Sequence, residues 1–138
     1  MVKHISWNDE YKIGYHLIDS QHRRLFEIAD EIYSLTQKEE AKQKEDIILV
    51  LQDCTKYTLS HFSTEEKLME EIKYPAMNAH INQHKEFKVK VTEAISDYSR
   101  GNSVKLEDLY LFIVEWLVQH VTKVDKALGL YASTHQVN

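Results

Sequence analysis

The sequence predicts an all-α protein, an antiparallel up-down-up-down four-helix bundle with an N-terminal arm. Three observations point there. Only three glycines and one proline interrupt 138 residues, which favours long helices over many short strands. Apolar residues recur at alternating steps of three and four along four separate stretches. Five histidines and two carboxylates fall where such a bundle brings the start of its first and third helices beside the end of its second and fourth.

Taken in order, residues 1–18 form the arm, and four helices are expected at about 19–37, 42–72, 76–99 and 103–129 of a single domain spanning 1–138. Asp19 is placed to cap the first helix, which carries Leu25, Phe26, Ala29, Ile32 and Tyr33 inward. The charged run from Gln37 to Glu45 reads as a connection. The second helix has an unbroken stripe of Ile47, Leu51, Cys54, Thr58, His61, Glu65, Leu68 and Ile72. His61 and Glu65 thus occupy positions where leucine would ordinarily sit. Lys73 to Pro75 is the natural turn, with Pro75 suited to the first turn of the next helix, where its missing N–H costs nothing. That helix carries His80, His84, Phe87, Val91, Ala94 and Tyr98, and Gly101 can end it in a left-handed conformation. Leu106, Leu109, Ile113, Trp116, His120, Val124 and Ala127 mark the inner face of the last helix, and the tail after Leu130 is expected to fray.

Composition narrows the function. A net charge of -5 with interspersed signs argues against nucleic acid, which calls for clustered positive charge. No apolar leader opens the chain and no stretch reaches the roughly 18 to 20 apolar residues of a membrane span. A cytoplasmic protein, with no membrane insertion, is expected. The single cysteine, Cys54, lies on the apolar stripe and reads as a small core residue.

The seven polar residues His22, His61, Glu65, His80, His84, His120 and Asp125 carry the chemistry. One histidine on an apolar stripe is usually a hydrogen-bonded core residue. Five histidines with two carboxylates, buried without partners, would cost several kcal/mol for each ionised group. A bound metal removes that cost. His61 with Glu65, and His80 with His84, are one helical turn apart and can reach one centre from a common face. His120 and Asp125 are five residues apart, which leaves about 140° between them on an ideal helix. Either they serve different edges of the site, or the helix is locally widened by a π-bulge. If both carboxylates bridge two metals with one hydroxide, the five histidines divide three and two, giving one closed six-coordinate metal and one five-coordinate metal open to a small molecule such as dioxygen. Imidazole and carboxylate suit iron, with zinc and manganese as the alternatives that ligand type leaves open.

These residues, together with Trp7, Ile13, Gly14, Ile18, Asp19, Gln21, Leu25, Phe26, Phe62, Glu66, Met69, Tyr74, Pro75, Phe87 and Trp116, make the chain resemble the hemerythrin-like family, in its single-domain bacterial form. The resemblance implies two iron ions bridged by Glu65, Asp125 and an oxo or hydroxo group. His80, His84 and His120 would bind the closed iron, and His22 and His61 the open iron. It implies dioxygen as the ligand and Phe62, Trp116, Leu117 and Val121 as pocket walls. Val121 stands where the family usually carries isoleucine, and Tyr15 and His16 are bulkier or more polar than the pattern suggests.

Reversible dioxygen binding for storage, transport or delivery is therefore the expected function, by a monomer that is not an enzyme and has an unidentified oxygen recipient or redox partner. The alternatives are a di-iron enzyme consuming nitric oxide or peroxide, a freestanding oxygen or redox sensor, and a structural zinc bundle. A five-histidine, two-carboxylate set is less anionic than the four-carboxylate set of ferritin-like proteins, which favours holding dioxygen over splitting it.

Overall fold

The computed structural model describes residues 4–38, 40–101 and 105–135, and all its regular structure is helical. A short 3-10 turn, Asp9–Tyr11, leads to α1 (His16–Thr36), α2 (Glu40–Glu71), α3 (Met77–Ser99) and α4 (Leu106–Gln119). A π-helical segment, His120–Asp125, joins α4 without a break to α5 (Lys126–Thr134). The architecture is the four-helix bundle. α1 packs on both α2 and α4, α2 packs on α3, and the α3–α4 face is the loosest.

Several boundaries differ from the sequence expectations, each for a local reason. Helix α1 begins at His16, inside the expected arm, with Tyr15 as its N-cap. Asp19 is not the cap: its carboxylate accepts from the backbone N–H groups of Ile13 (2.8 Å) and Gly14 (3.2 Å), so it closes the turn that feeds the helix. Helix α2 starts at Glu40, so part of the charged run expected as a connection is helical. Pro75 precedes α3 in the turn, and α3 starts at Met77. The expected start of the fourth helix at 103 falls outside the described residues, as do the first three residues of the arm.

Helix α2 ends in a complete Schellman motif. Tyr74 N–H donates to Met69 C=O (2.9 Å), Lys73 N–H donates to Glu70 C=O (3.3 Å), and Lys73 has φ 55°, where glycine is usual. Gly101 does take the left-handed conformation after α3, with φ 79°.

Two apolar clusters flank one polar layer. The larger includes Phe26, Ile32, Leu51, Phe62, Phe87, Tyr110, Ile113, Leu117 and Val121, and Cys54 belongs to it. Burial pushes the Cys54 thiol up to about 11, which keeps it neutral and unreactive. The smaller cluster is Met69, Ile72, Leu128 and Ala132, with Tyr74 and Tyr131 packed against it. Tyr131 meets Tyr74 edge-on at 5.2 Å, so the expected fraying does not begin at Leu130: the helix continues, packed, to Thr134, and residues 136–138 lie outside the described residues. Gly129 makes this possible at the arm: a Cβ there would lie 2.9 Å from the Ile13 carbonyl oxygen.

Candidate metal centre

Between these clusters lie His22, His61, Glu65, His80, His84, His120 and Asp125, none more than 2% exposed. α1 supplies His22, α2 His61 and Glu65, α3 His80 and His84, and the π segment His120 and Asp125. The π segment brings in the last of these. An i→i+5 turn holds one more residue than an α turn, so the residue five after His120 faces where the fourth would otherwise face. The same shift corrects the inner face beyond it. Val124 is only half-buried and Ala127 is exposed, while Leu128 and Ala132 are buried.

Atoms able to hold a cation form two overlapping groups, each within 4.8 Å internally: Glu65, His80, His84, His120 and Asp125, and His22, His61, Glu65 and Asp125. Both carboxylates are shared. Asp125 divides its oxygens: Oδ2 lies 2.6 Å from His22 Nε2 and 3.9 Å from His61 Nε2, and Oδ1 lies 3.0 Å from both His80 Nε2 and His120 Nε2. Glu65 Oε1 is 3.2 Å from the Nε2 atoms of His61 and His84 and 3.6 Å from that of His80. The Nε2 atoms of His84 and His120 approach to 3.2 Å.

Outer partners set the direction of three rings. His61 Nδ1 donates to Gln21 Oε1 (2.7 Å), His120 Nδ1 to Gln83 Oε1 (3.1 Å) and His84 Nδ1 to Glu66 Oε2 (3.2 Å). Amide and carboxylate oxygens accept, so in each neutral ring Nε2 presents a lone pair inward. Phe62 lies flat on His84 at 3.8 Å, and Trp116 lies flat on His120 at 4.3 Å. Gln83 had no periodic or motif signal in the sequence, and Gln21 and Glu66 entered only with the family resemblance. Their work is visible only once α1, α2, α3 and the π segment are assembled.

The donor set calls for positive charge. His22 Nδ1 and Nε2, His61 Nε2, Glu65 Oε2, His80 Nδ1 and Nε2, and both Asp125 oxygens are buried without a hydrogen bond of acceptable direction. The 2.6 Å approach of His22 to Asp125 is close but does not meet that directional requirement. Between the protein groups alone, protons supply the charge. Burial opposes an imidazolium at His61 and His80, yet the Glu65 and Asp125 carboxylates raise both to about 9. Burial also opposes charge on His120, which the same carboxylates raise. Burial lowers His84, because its attraction to Glu65 is offset by repulsion from His120 and His80. Glu65 and Asp125 lie well below the usual carboxylate range: burial and, at Glu65, the charge of Asp125 work against ionisation, but the surrounding histidines outweigh them. Divalent cations can take the place of those protons at the same atoms, and the residues present fit them.

The other histidines lie outside this centre. His16 is exposed at the start of α1, His4 pairs with Asp30 at 2.6 Å, and exposed His135 stacks on Tyr131 at 3.8 Å. Among the described residues no helix is long and apolar enough to cross a membrane.

Comparison with known proteins bears on the family and the fold. A sequence profile described as the hemerythrin HHE cation binding domain matches residues 13–130. Bacteriohemerythrin of Stenotrophomonas maltophilia is 31% identical over 129 residues, covering 94% of this chain and 82% of its own. Bacteriohemerythrin of Clostridium acetobutylicum is 31% identical over 122 residues, covering 87% and 95%. A crystal structure of wild-type hemerythrin shares the fold with a TM-score of 0.86 at 24% identity, over 94% of this chain and 98% of the other. The chain belongs to the hemerythrin HHE cation-binding family.

Proposed function

We propose that this protein binds dioxygen reversibly at a non-haem di-iron centre, for storage, transport or delivery. His80, His84 and His120 would hold one iron and His22 and His61 the other, with Glu65 and Asp125 bridging. The observation that carries this reading is the division of Asp125, whose two oxygens turn toward different histidine groups while Glu65 is common to both. Such a division suits a carboxylate shared between two cations. An iron pair supplies two electrons that can be lent to a gas molecule and recovered on its release.

The chain's own residues set the conditions for reversibility. The group with two histidines has fewer donors than the group with three, so that side is the one left open to a small ligand. Phe62, Leu117 and Val121 are buried, and Trp116 covers His120, so the proposed pocket walls are apolar and keep water from the centre. Exclusion of water protects a reduced metal pair from irreversible oxidation.

The test is to cycle the reduced, iron-loaded protein between air and vacuum while recording its visible spectrum and counting iron per chain. Two irons with a spectrum that appears in air and disappears in vacuum over repeated cycles is the expected result. One ion per chain, or steady consumption of dioxygen, nitric oxide or peroxide with added reductant, would overturn the reading in favour of a mononuclear site or an enzyme.

A further inference from the structure

The outer nitrogens of the five histidines are not treated alike. His61 and His120 donate to neutral amides, His84 donates to the carboxylate of Glu66, and the Nδ1 atoms of His22 and His80 are buried without a partner. Glu66 follows Glu65 on α2, so consecutive carboxylates bracket the His84 ring: Glu65 Oε1 lies 3.2 Å from its Nε2 and Glu66 Oε2 lies 3.2 Å from its Nδ1. Phe62 holds the flat face of the same ring. A carboxylate behind an imidazole fixes its tautomer and makes the inward nitrogen a stronger donor than an amide does. Glu66 is about a quarter exposed, at 28% of its side chain, so solvent weakens this effect without abolishing it. Among the described residues, outer negative charge therefore stands behind one of the two overlapping groups, through Glu66.

We propose that Glu66 is a positioning residue that makes the two metal positions unequal: through His84 it strengthens cation binding by the group of three histidines and leaves the His22–His61 side the weaker. This inference rests on the two-metal reading above. The carboxylate directs the lone pair of His84 inward and adds charge behind it, whereas Gln21 supplies His61 with direction alone.

The test titrates metal-free protein with Co2+ against a chromogenic chelator, following cobalt absorption, for the wild type, Glu66→Gln, Glu66→Ala and Gln21→Ala. The wild type should take up two Co2+ with unequal dissociation constants. Glu66→Gln keeps an oxygen acceptor and removes the charge, and should weaken the tighter position about tenfold while leaving the other unchanged. Glu66→Ala should weaken it at least as much, and Gln21→Ala should act on the weaker position. Equal binding by Glu66→Gln and the wild type would overturn the proposal, as would a loss confined to Glu66→Ala or an equal loss at both positions. A wild-type stoichiometry of one would instead refute the two-metal reading and, with it, any inequality between positions. The midpoint potential of the iron-loaded protein is the independent readout: Glu66→Gln should raise that of one iron only.

Discussion

Deleting Lys123 should leave the fold and the metal centre intact, although a deletion inside a buried helix ordinarily destroys both. The π segment His120–Asp125 contains one residue more than an α-helix would place between the same two inward positions. On an α-helix, five steps of about 100° leave Asp125 about 140° from His120, whereas four steps leave about 40°. Lys123 is exposed, and its removal turns i→i+5 bonds into i→i+4 bonds while Asp125, Leu128 and Ala132, all fully buried, keep facing inward. The expected change in stability is within about 1 kcal/mol. The control is deletion of exposed Glu115 in α4, where no extra residue exists. There everything downstream turns by about 100°, carrying Leu117, Val121 and Leu128 out of the core. At about 1.5–3 kcal/mol each, those losses sum to roughly 4.5–9 kcal/mol, comparable with the whole stability of a domain. Thermal unfolding by circular dichroism, with metal counted per chain, separates the two cases. Loss of fold and metal on deleting Lys123, as severe as on deleting Glu115, would refute the phase argument.

Gly129→Ala gains roughly 1 kcal/mol of helix propensity but places a methyl group 2.9 Å from the Ile13 carbonyl oxygen; lifting the arm should make the net effect a loss of about 1–3 kcal/mol in denaturant titration. Lys73→Gly relieves the left-handed residue of the Schellman motif and should stabilise by about 0.5–1 kcal/mol, seen as a higher urea midpoint. In the metal-free protein His61 and His80 are raised from 6.5 to about 9, so their contribution is full below pH 6.5 and fades as pH rises through 9. Metal competes with those same protons, so the gain in melting temperature on loading zinc should be larger at pH 9 than at pH 6, and a gain that shrinks with pH would contradict the assignment.

The bundle could be read from the sequence because its inner stripes are long and unbroken, and His61 and Glu65 stood out by occupying them. The spacing of His120 and Asp125 carried the alternative of a widened helix, which the structure adopts. What lay beyond it could not be read, because Val124 and Ala127 continue the old rhythm as plausibly as Leu128 and Ala132 begin the new one. Asp19 misled for a different reason. A carboxylate that caps a helix and one that closes the turn before it have the same sequence signature, and only the positions of the Ile13 and Gly14 N–H groups distinguish them. The start of α2 was hidden because a charged run on a solvated helix carries no apolar period. Gln21, Gln83 and Glu66 were obscure because their partners lie on other helices.

Every helix of the bundle lends a side chain to the polar layer, and His22 is synthesised long before Asp125. Both groups need Asp125, so the complete donor set of either one forms only when the last helical segment has come together with the helices that carry the rest. In the metal-free protein the protons that Glu65 and Asp125 hold on His61 and His80 balance the buried carboxylates, so the ionic layer can close without an ion.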